Sequence, residues 1–132
     1  MGNLNPKPVE IEFDGKTYGV TFNLNLIDDV QTRFDKSLDE IPAILTDDRT
    51  AAANLRYVLT ALLNDAIETR EMETGEELPR LTEQQVGKKI DIHNFDYYYA
   101  KIFEAFGCSL PDTDEDDDPN PRSGQQSSML PA

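Results

Sequence analysis

The sequence contains one histidine, His93, and one cysteine, Cys108. Both residue types take part in nucleophilic catalysis and bind transition metals. A thiol activated by an imidazole is formally sufficient for nucleophilic chemistry, but the pattern places His93 in a connection between helices and Cys108 after the last helix. Structural zinc sites need about four Cys or His ligands. The sequence therefore predicts neither a catalytic pair nor a metal site built from these residues.

A dense acidic run near the C-terminus has some of the features of a calcium-binding loop. Six of the seven residues in 112–118 are acidic, and alternate carboxylates begin the run as they begin an EF-hand loop. That loop requires Gly at its sixth position and Glu at its twelfth, where this sequence has Asp117 and Ser123. A loop starting at Asp114 fails as well. The run is therefore predicted to be a solvated tail.

No other motif in the sequence supports an enzyme. The glycines at positions 15, 19, 75, 87 and 107 fit neither the Walker A loop nor the dinucleotide-binding fingerprint. Carboxylates are so abundant that no single pair of them is informative. We therefore expect a protein without catalytic activity and without a cofactor.

The aromatic residues of the last predicted helix form the most informative cluster. Consecutive residues of a helix differ by about 100°, so three tyrosines in a row sweep about 200° of its circumference. The predicted core stripe is Phe95–Tyr99–Ile102–Phe106, which leaves a tyrosine facing elsewhere, and tyrosine is enriched at protein interfaces. The candidate partner-binding side chains are Tyr97, Tyr98, Tyr99 and Phe103. Alternatively, all three tyrosines pack against the hairpin or against the loop 71–80.

The composition favours one acidic domain in a reducing compartment. The chain has 132 residues and one cysteine, so we expect a single hydrophobic core and a cytoplasmic location. Its net charge is −14, with 20 acidic and 11 basic side chains in residues 1–110. Phosphate backbones and anionic membrane surfaces would repel this charge. We therefore expect neither nucleic acid nor a membrane as a partner, and no stretch approaches the roughly 20 apolar residues of a membrane span.

Residues 9–22 are predicted to form a β-hairpin. Val9, Ile11 and Phe13 alternate with glutamates, which is typical of a strand with one buried face. Asp14-Gly15 follows, and this dipeptide favours the type I′ turn, in which both central residues have positive φ. Two strands alone are marginally stable in water, so helices must cover the apolar face.

The rest of the chain is predicted to be mostly helical. Asn25, or alternatively Asn23, would cap a helix over 25–34, and capping boxes begin at Ser37 and Thr82. The first predicted helix spans 25–34, and a short one follows Ser37 with Leu38, Ile41 and Leu45 on its apolar side. The longest starts after Asp47 or Asp48 and runs to about Arg70. Two more span 82–90 and 95–106, the last with Asn94 as cap and Gly107 as stop. The fold class is α+β and mostly α-helical, with a hairpin and about five helices. The predicted organisation is a flexible N-terminus (1–8), one folded domain (9–110) and a disordered acidic tail (111–132).

The order of these elements, together with several short phrases, resembles a known family. Phe22-Asn23 ends the hairpin, Phe34-Asp35-Lys36-Ser37-Leu38 precedes the long leucine-rich helix, and a Leu-Thr-x-x-x-Val-Gly phrase begins at Leu81. Across about residues 9–107, the chain resembles the tail assembly chaperones of long-tailed bacteriophages. The family has no residue-level binding motif that could be carried over to this sequence.

The resemblance implies a function and a set of partners. Such chaperones act in the cytoplasm of the infected bacterium, bind the tape measure protein, keep it soluble and help to recruit tail tube subunits, and they are usually absent from the mature virion. Self-association into a homo-oligomer is left open. The sequence allows two rival functions: a structural tail or head–tail joining component, and an acidic nucleic-acid mimic that inhibits a DNA-binding enzyme.

Overall fold

The computed structural model describes residues 8–109, and side chains up to Gly107. Most of the predicted flexible N-terminus and all of the predicted tail 111–132 lie outside these residues. The elements are β1 (Val9–Phe13), β2 (Lys16–Val20), α1 (Leu24–Phe34), a 3₁₀ turn (Leu38–Glu40), α2 (Ile41–Ile44), α3 (Ala51–Thr74), α4 (Glu83–Lys88) and α5 (Phe95–Ser109). The predicted α+β class is confirmed, since an antiparallel hairpin is followed by five α-helices in the described part of the chain.

The hairpin has the predicted turn and the predicted buried face. Asp14 and Gly15 have φ of 51° and 79°, as a type I′ turn requires. Val9, Ile11 and Phe13 are buried while the glutamates between them are exposed. The register pairs Phe13 with Lys16 and Glu12 with Thr17. Because pairs alternate along an antiparallel ladder, Glu12 and Thr17 direct their backbone groups away from each other, towards the outer edges of the sheet.

Helix α1 begins at the second of the two predicted caps. The side chain of Asn23 accepts a hydrogen bond of 3.0 Å from the N–H of Leu26, so Asn23 and not Asn25 is the cap. Asn23 also donates to Asp65 of α3 at 2.8 Å, which ties the start of α1 to the long helix. Asp35, with φ of 55°, ends α1 in the left-handed conformation.

The segment after Ser37 is shorter and tighter than a regular helix. The N–H of Ser37 donates to the Glu40 carboxylate at 2.9 Å, and the chain then makes a 3₁₀ turn before the four residues of α2. Ile41 and Leu45 are buried as predicted, but Leu38 is 37% exposed. Leu38 was wrongly predicted to share their apolar face, because a 3₁₀ turn does not keep the α-helical spacing.

Helix α3 is the centre of the core. Its 24 residues span about 36 Å, and it begins two or three residues later and ends about four residues later than predicted. Gly75, with φ of 77°, ends it in the left-handed conformation. The hairpin, α1, α4 and α5 all pack against α3 or its neighbours, burying one continuous face: Leu55, Val58, Leu59, Leu62, Leu63 and Ile67.

Two sets of polar contacts fix the start of helix α4, and one of them ties it to α3. Thr82 and Gln85 form the predicted capping box, with reciprocal hydrogen bonds of 2.9 and 3.0 Å. Just before it, the Asn64 side chain donates to the C=O of Leu81 and accepts from its N–H, both at 2.8 Å. Helix α4 ends at Lys88 and not at residue 90.

Helix α5 continues beyond its predicted stop. Gly107 lies inside the helix, which extends to Ser109, and positive φ among the described glycines occurs only at positions 15 and 75. A glycine ends a helix only where the chain turns left-handed, so the predicted stop at Gly107 is wrong. At the other end, the Asn94 side chain accepts from the N–H of Asp91 at 2.8 Å instead of capping α5.

Candidate protein-binding site

The four predicted binding residues do not form a single surface. Helix α5 places Tyr98 in the core at 6% exposure, whereas Tyr97 is 39% exposed on one flank of the helix. Tyr99 and Phe103 lie half-buried on the opposite flank. The buried stripe of α5 consists of Tyr98, Ile102, Ala105 and Phe106. The predicted core stripe was therefore wrong at its first two positions, because the hairpin covers an arc of α5 that includes Tyr98 and leaves Tyr99 at its border.

Tyr97 and Tyr98 close the outer edge of β1 at one residue, Glu12. The Tyr97 hydroxyl accepts a 2.9 Å hydrogen bond from the N–H of Glu12, and the Tyr98 hydroxyl donates at 3.0 Å to the C=O of the same residue. Both outward backbone groups of Glu12 are thereby paired, which removes part of the strand edge that would otherwise attract another chain. Two of the three tyrosines therefore pack against the hairpin, as the alternative prediction had it for all three.

The environment of Tyr98 favours its neutral form. Burial raises the pKa of the Tyr98 hydroxyl, and the nearby Tyr97, Asp14 and Glu12 add to this effect. The ring packs edge-on against Phe13 at a centroid distance of 6.1 Å and against Tyr97 at 5.0 Å. Since a neutral hydroxyl is a hydrogen-bond donor, the bond from Tyr98 to Glu12 is retained through the physiological pH range.

The other flank of α5 carries a row of aromatic rings, which we call the aromatic ridge: Phe95, Tyr99 and Phe103. The Phe95 and Tyr99 rings stack at a centroid distance of 5.8 Å, and Tyr99 meets Phe103 edge-on at 5.0 Å. Residues four apart lie one above the other on a helix, so the ridge runs along the helix axis. All three rings are only half-buried, which leaves an apolar strip open to solvent.

A groove of about 490 Å³ adjoins one end of the aromatic ridge. It lies between the first turns of α3 and the segment that joins α4 to α5, and its apolar lining consists of Ala52, Ala53, Leu55, Ile90, Ile92 and Phe95. Ile92 is 90% exposed and stands at the rim. Phe95 belongs both to the groove and to the ridge. Together the two features form a continuous apolar surface, which we call the α3–α5 surface.

Two charged side chains border this groove. Arg56 lines it and pairs with Glu83 at 3.6 Å, and its Cδ lies so close to Gly87 that an added Cβ would sit 3.1 Å away. Asp91 also lines the groove, and its carboxylate accepts a hydrogen bond from the N–H of His93 at 2.8 Å.

A second groove of about 400 Å³ lies beside the hairpin turn and is bordered by the ion pair between Lys89 and Asp14 at 3.2 Å.

The residues with catalytic potential are not brought into a site by the described structure. His93 is exposed and lies 3.6 Å from the Asp91 carboxylate, and the Cys108 side chain lies outside the description. Within residues 8–109, no group of three or more His, Cys, Asp or Glu side chains is arranged to hold a metal ion. The described helices include none that combines the length and the apolar character needed to cross a membrane.

The groove and its most exposed residue, Ile92, are not predicted by any pattern in the sequence. Ile92 lies between two charged or polar neighbours in a short connection, and no periodic pattern marks it. The groove itself joins residues of α3 to residues about 40 positions further along the chain.

Comparisons of the chain with protein-family models, with curated proteins and with solved structures find no match.

Proposed function

We propose that this protein is a tail assembly chaperone of a long-tailed bacteriophage. It binds the tape measure protein in the host cytoplasm, keeps it soluble and helps to recruit tail tube subunits. The proposal combines the family resemblance of residues 9–107 with one structural observation, the open α3–α5 surface. It requires a protein-binding surface and no catalytic group.

The α3–α5 surface has the shape and chemistry that suit an amphipathic helix. The half-buried ridge provides a row of aromatic contacts along α5, and the groove beside it accepts side chains from a partner. Amphipathic helices commonly bind in apolar grooves through side chains spaced three or four residues apart. A long helical tape measure protein with apolar stripes is a partner of this kind.

The charge of the chain supports the same role. A net charge of −14 keeps a complex dispersed through electrostatic repulsion between complexes. Near the α3–α5 surface, the carboxylates of Asp91 and Asp96 are exposed. We therefore infer that the bound helix carries basic residues beside its apolar stripe.

The test is co-expression of the full chain with the tape measure protein of the same phage, followed by a solubility assay and a pull-down. The decisive variant is Ile92→Ser, because Ile92 is 90% exposed and its replacement leaves the core intact. Burial of an isoleucine side chain in an interface contributes about 1.5–3 kcal/mol, so binding should weaken by about tenfold or more. Met72→Ser is the matched control, since Met72 is 80% exposed but lies at the far end of α3.

Three outcomes separate the alternatives. If the tape measure protein becomes soluble with the wild type and with Met72→Ser but not with Ile92→Ser, both the function and the binding surface are supported. If both variants bind as well as the wild type, the chaperone binds through another surface. If the tape measure protein stays insoluble and unbound while this chain is found in purified particles, the chain is a structural tail component instead.

A further inference from the structure

The two edges of the β-hairpin differ in how their backbone groups are satisfied. On the β1 edge, Tyr97 and Tyr98 pair both outward groups of Glu12. On the β2 edge, Thr17 and Gly19 are exposed, and no side chain or backbone group of the described residues bonds to their outward N–H and C=O groups. Open groups at every second residue form a template for another strand.

We propose that β2 pairs with β2 of a second copy of this chain, which joins the two hairpins into a four-stranded antiparallel sheet. With the two-fold axis at Tyr18, Thr17 of each copy faces Gly19 of the other. Each such pair exchanges two hydrogen bonds, as a hydrogen-bonded pair of an antiparallel ladder does, so the dimer gains four. A two-fold interface of this kind uses the same surface patch on both subunits.

The distribution of charge favours a second copy at this edge. Two chains of net charge −14 repel each other at most orientations. The acidic residues of the hairpin lie on β1 and at the turn, whereas residues 15–27 contain no acidic side chain. The only charged side chain of β2 is Lys16, and in the proposed register it lies opposite Val20 of the other copy. Within the two hairpins, pairing at the β2 edge therefore places no carboxylates opposite each other.

The residue types of β2 favour this pairing. Thr17, Tyr18 and Val20 are residues that favour extended strands. Gly19 has no side chain, and Pro8 occupies the space where one would lie, because an added Cβ would be 3.3 Å from it. No side chain of residue 19 therefore hinders the approach of Thr17 of the other copy. The edge carries no proline and no bulge to block addition.

The first part of the test measures association by analytical ultracentrifugation of the full chain over a range of concentrations. Thr17→Pro removes the outward N–H of residue 17 without removing a bond of the β1–β2 ladder, because Thr17 and Glu12 direct their N–H groups away from each other. We expect it to weaken the dimer by at least about tenfold, since each dimer loses two hydrogen bonds. Thr17→Val keeps the N–H and should dimerise as the wild type does. Glu10→Pro makes the matching change on the β1 edge and should leave the dimer intact.

The second part follows amide hydrogen exchange by NMR, which reports on individual residues of the wild type and avoids any loss of folding in a variant. The amides of Thr17 and Gly19 should exchange more slowly as the concentration rises, while the Glu10 amide exchanges rapidly throughout. A protein that stays monomeric up to its solubility limit, with both amides unprotected, would overturn the proposal. Protection that arises only when the tape measure protein is added would assign the edge to that partner and would also overturn it.

Discussion

The pair of tyrosine hydroxyls on Glu12 gives a quantitative prediction, because the two bonds differ in their access to water. Tyr98→Phe removes the hydroxyl that donates to the Glu12 C=O at 3.0 Å in a partly buried position. The phenylalanine ring keeps the contact with Phe13. A hydrogen bond of this kind contributes about 1 kcal/mol net, so the free energy of unfolding should fall by about that amount. For a domain of this size the melting temperature should fall by about 4–8 °C.

Tyr97→Phe should cost less than half as much. The bond that it removes is exposed, so water can replace the hydroxyl as the acceptor for the Glu12 N–H. Its local effect should nevertheless be large, because the Glu12 amide loses the partner that protects it from exchange. The two variants therefore separate global stability from local protection.

The assays are urea unfolding at neutral pH, followed by far-UV circular dichroism, and amide exchange at Glu12. Tyr98→Phe should lose about 1 kcal/mol of stability with native-like exchange at Glu12, whereas Tyr97→Phe should lose less than half of that and exchange faster at Glu12. Equal stability losses in the two variants would refute the assigned difference in solvent access. Unchanged exchange at Glu12 in Tyr97→Phe would refute the hydrogen bond itself.

Two further predictions concern other parts of the core. Asn64→Ala removes both hydrogen bonds to the Leu81 backbone and should lower the free energy of unfolding by about 2 kcal/mol; a loss below about 0.5 kcal/mol in urea unfolding would show that water replaces the amide. The second prediction is a loss of stability in alkali, since burial raises the pKa of Tyr18, Tyr57 and Tyr98 above 10 in the folded state. The unfolded chain ionises these tyrosines near pH 10, so their stabilising effect is complete below that pH and is lost as the pH rises further. Urea unfolding between about pH 9 and 11 should show a shallower loss for Tyr98→Phe than for the wild type, and parallel curves would contradict the assignment.

The features predicted correctly are those specified by neighbouring residues. Asp14-Gly15 determines its turn because the required positive φ values belong to those two residues alone. The Thr82 capping box likewise involves side chain and backbone groups only three residues apart. The hairpin face and the leucine-rich face of α3 follow from periodicity. Apolar residues at every second position indicate a strand, and apolar residues three or four positions apart indicate a helix.

The features predicted wrongly depend on residues that are distant in the sequence. The angular spacing of three consecutive tyrosines shows that they diverge, but the arc that becomes buried depends on where the hairpin packs against α5. The backbone of Glu12 provides the hydrogen-bond partners of Tyr97 and Tyr98 from 85 and 86 residues earlier, and no local pattern indicates them. Gly107 was assigned as a helix stop from its residue type, whereas the packing of Phe106 against Phe22 at 5.6 Å is compatible with a helix that continues past it.

The closure of the β1 edge also has a consequence for the order of events during synthesis. The hairpin leaves the ribosome before α5 does, and the tyrosines that bond to Glu12 are translated 85 and 86 residues later. At about 5–20 residues per second, that separation corresponds to roughly 4–17 s. Throughout this interval the two hydroxyls that pair the outward groups of Glu12 are absent, so any hairpin that forms presents both of its edges. Once α5 has been made, Tyr97 and Tyr98 close the β1 edge at Glu12, and the fully open edge is that of β2.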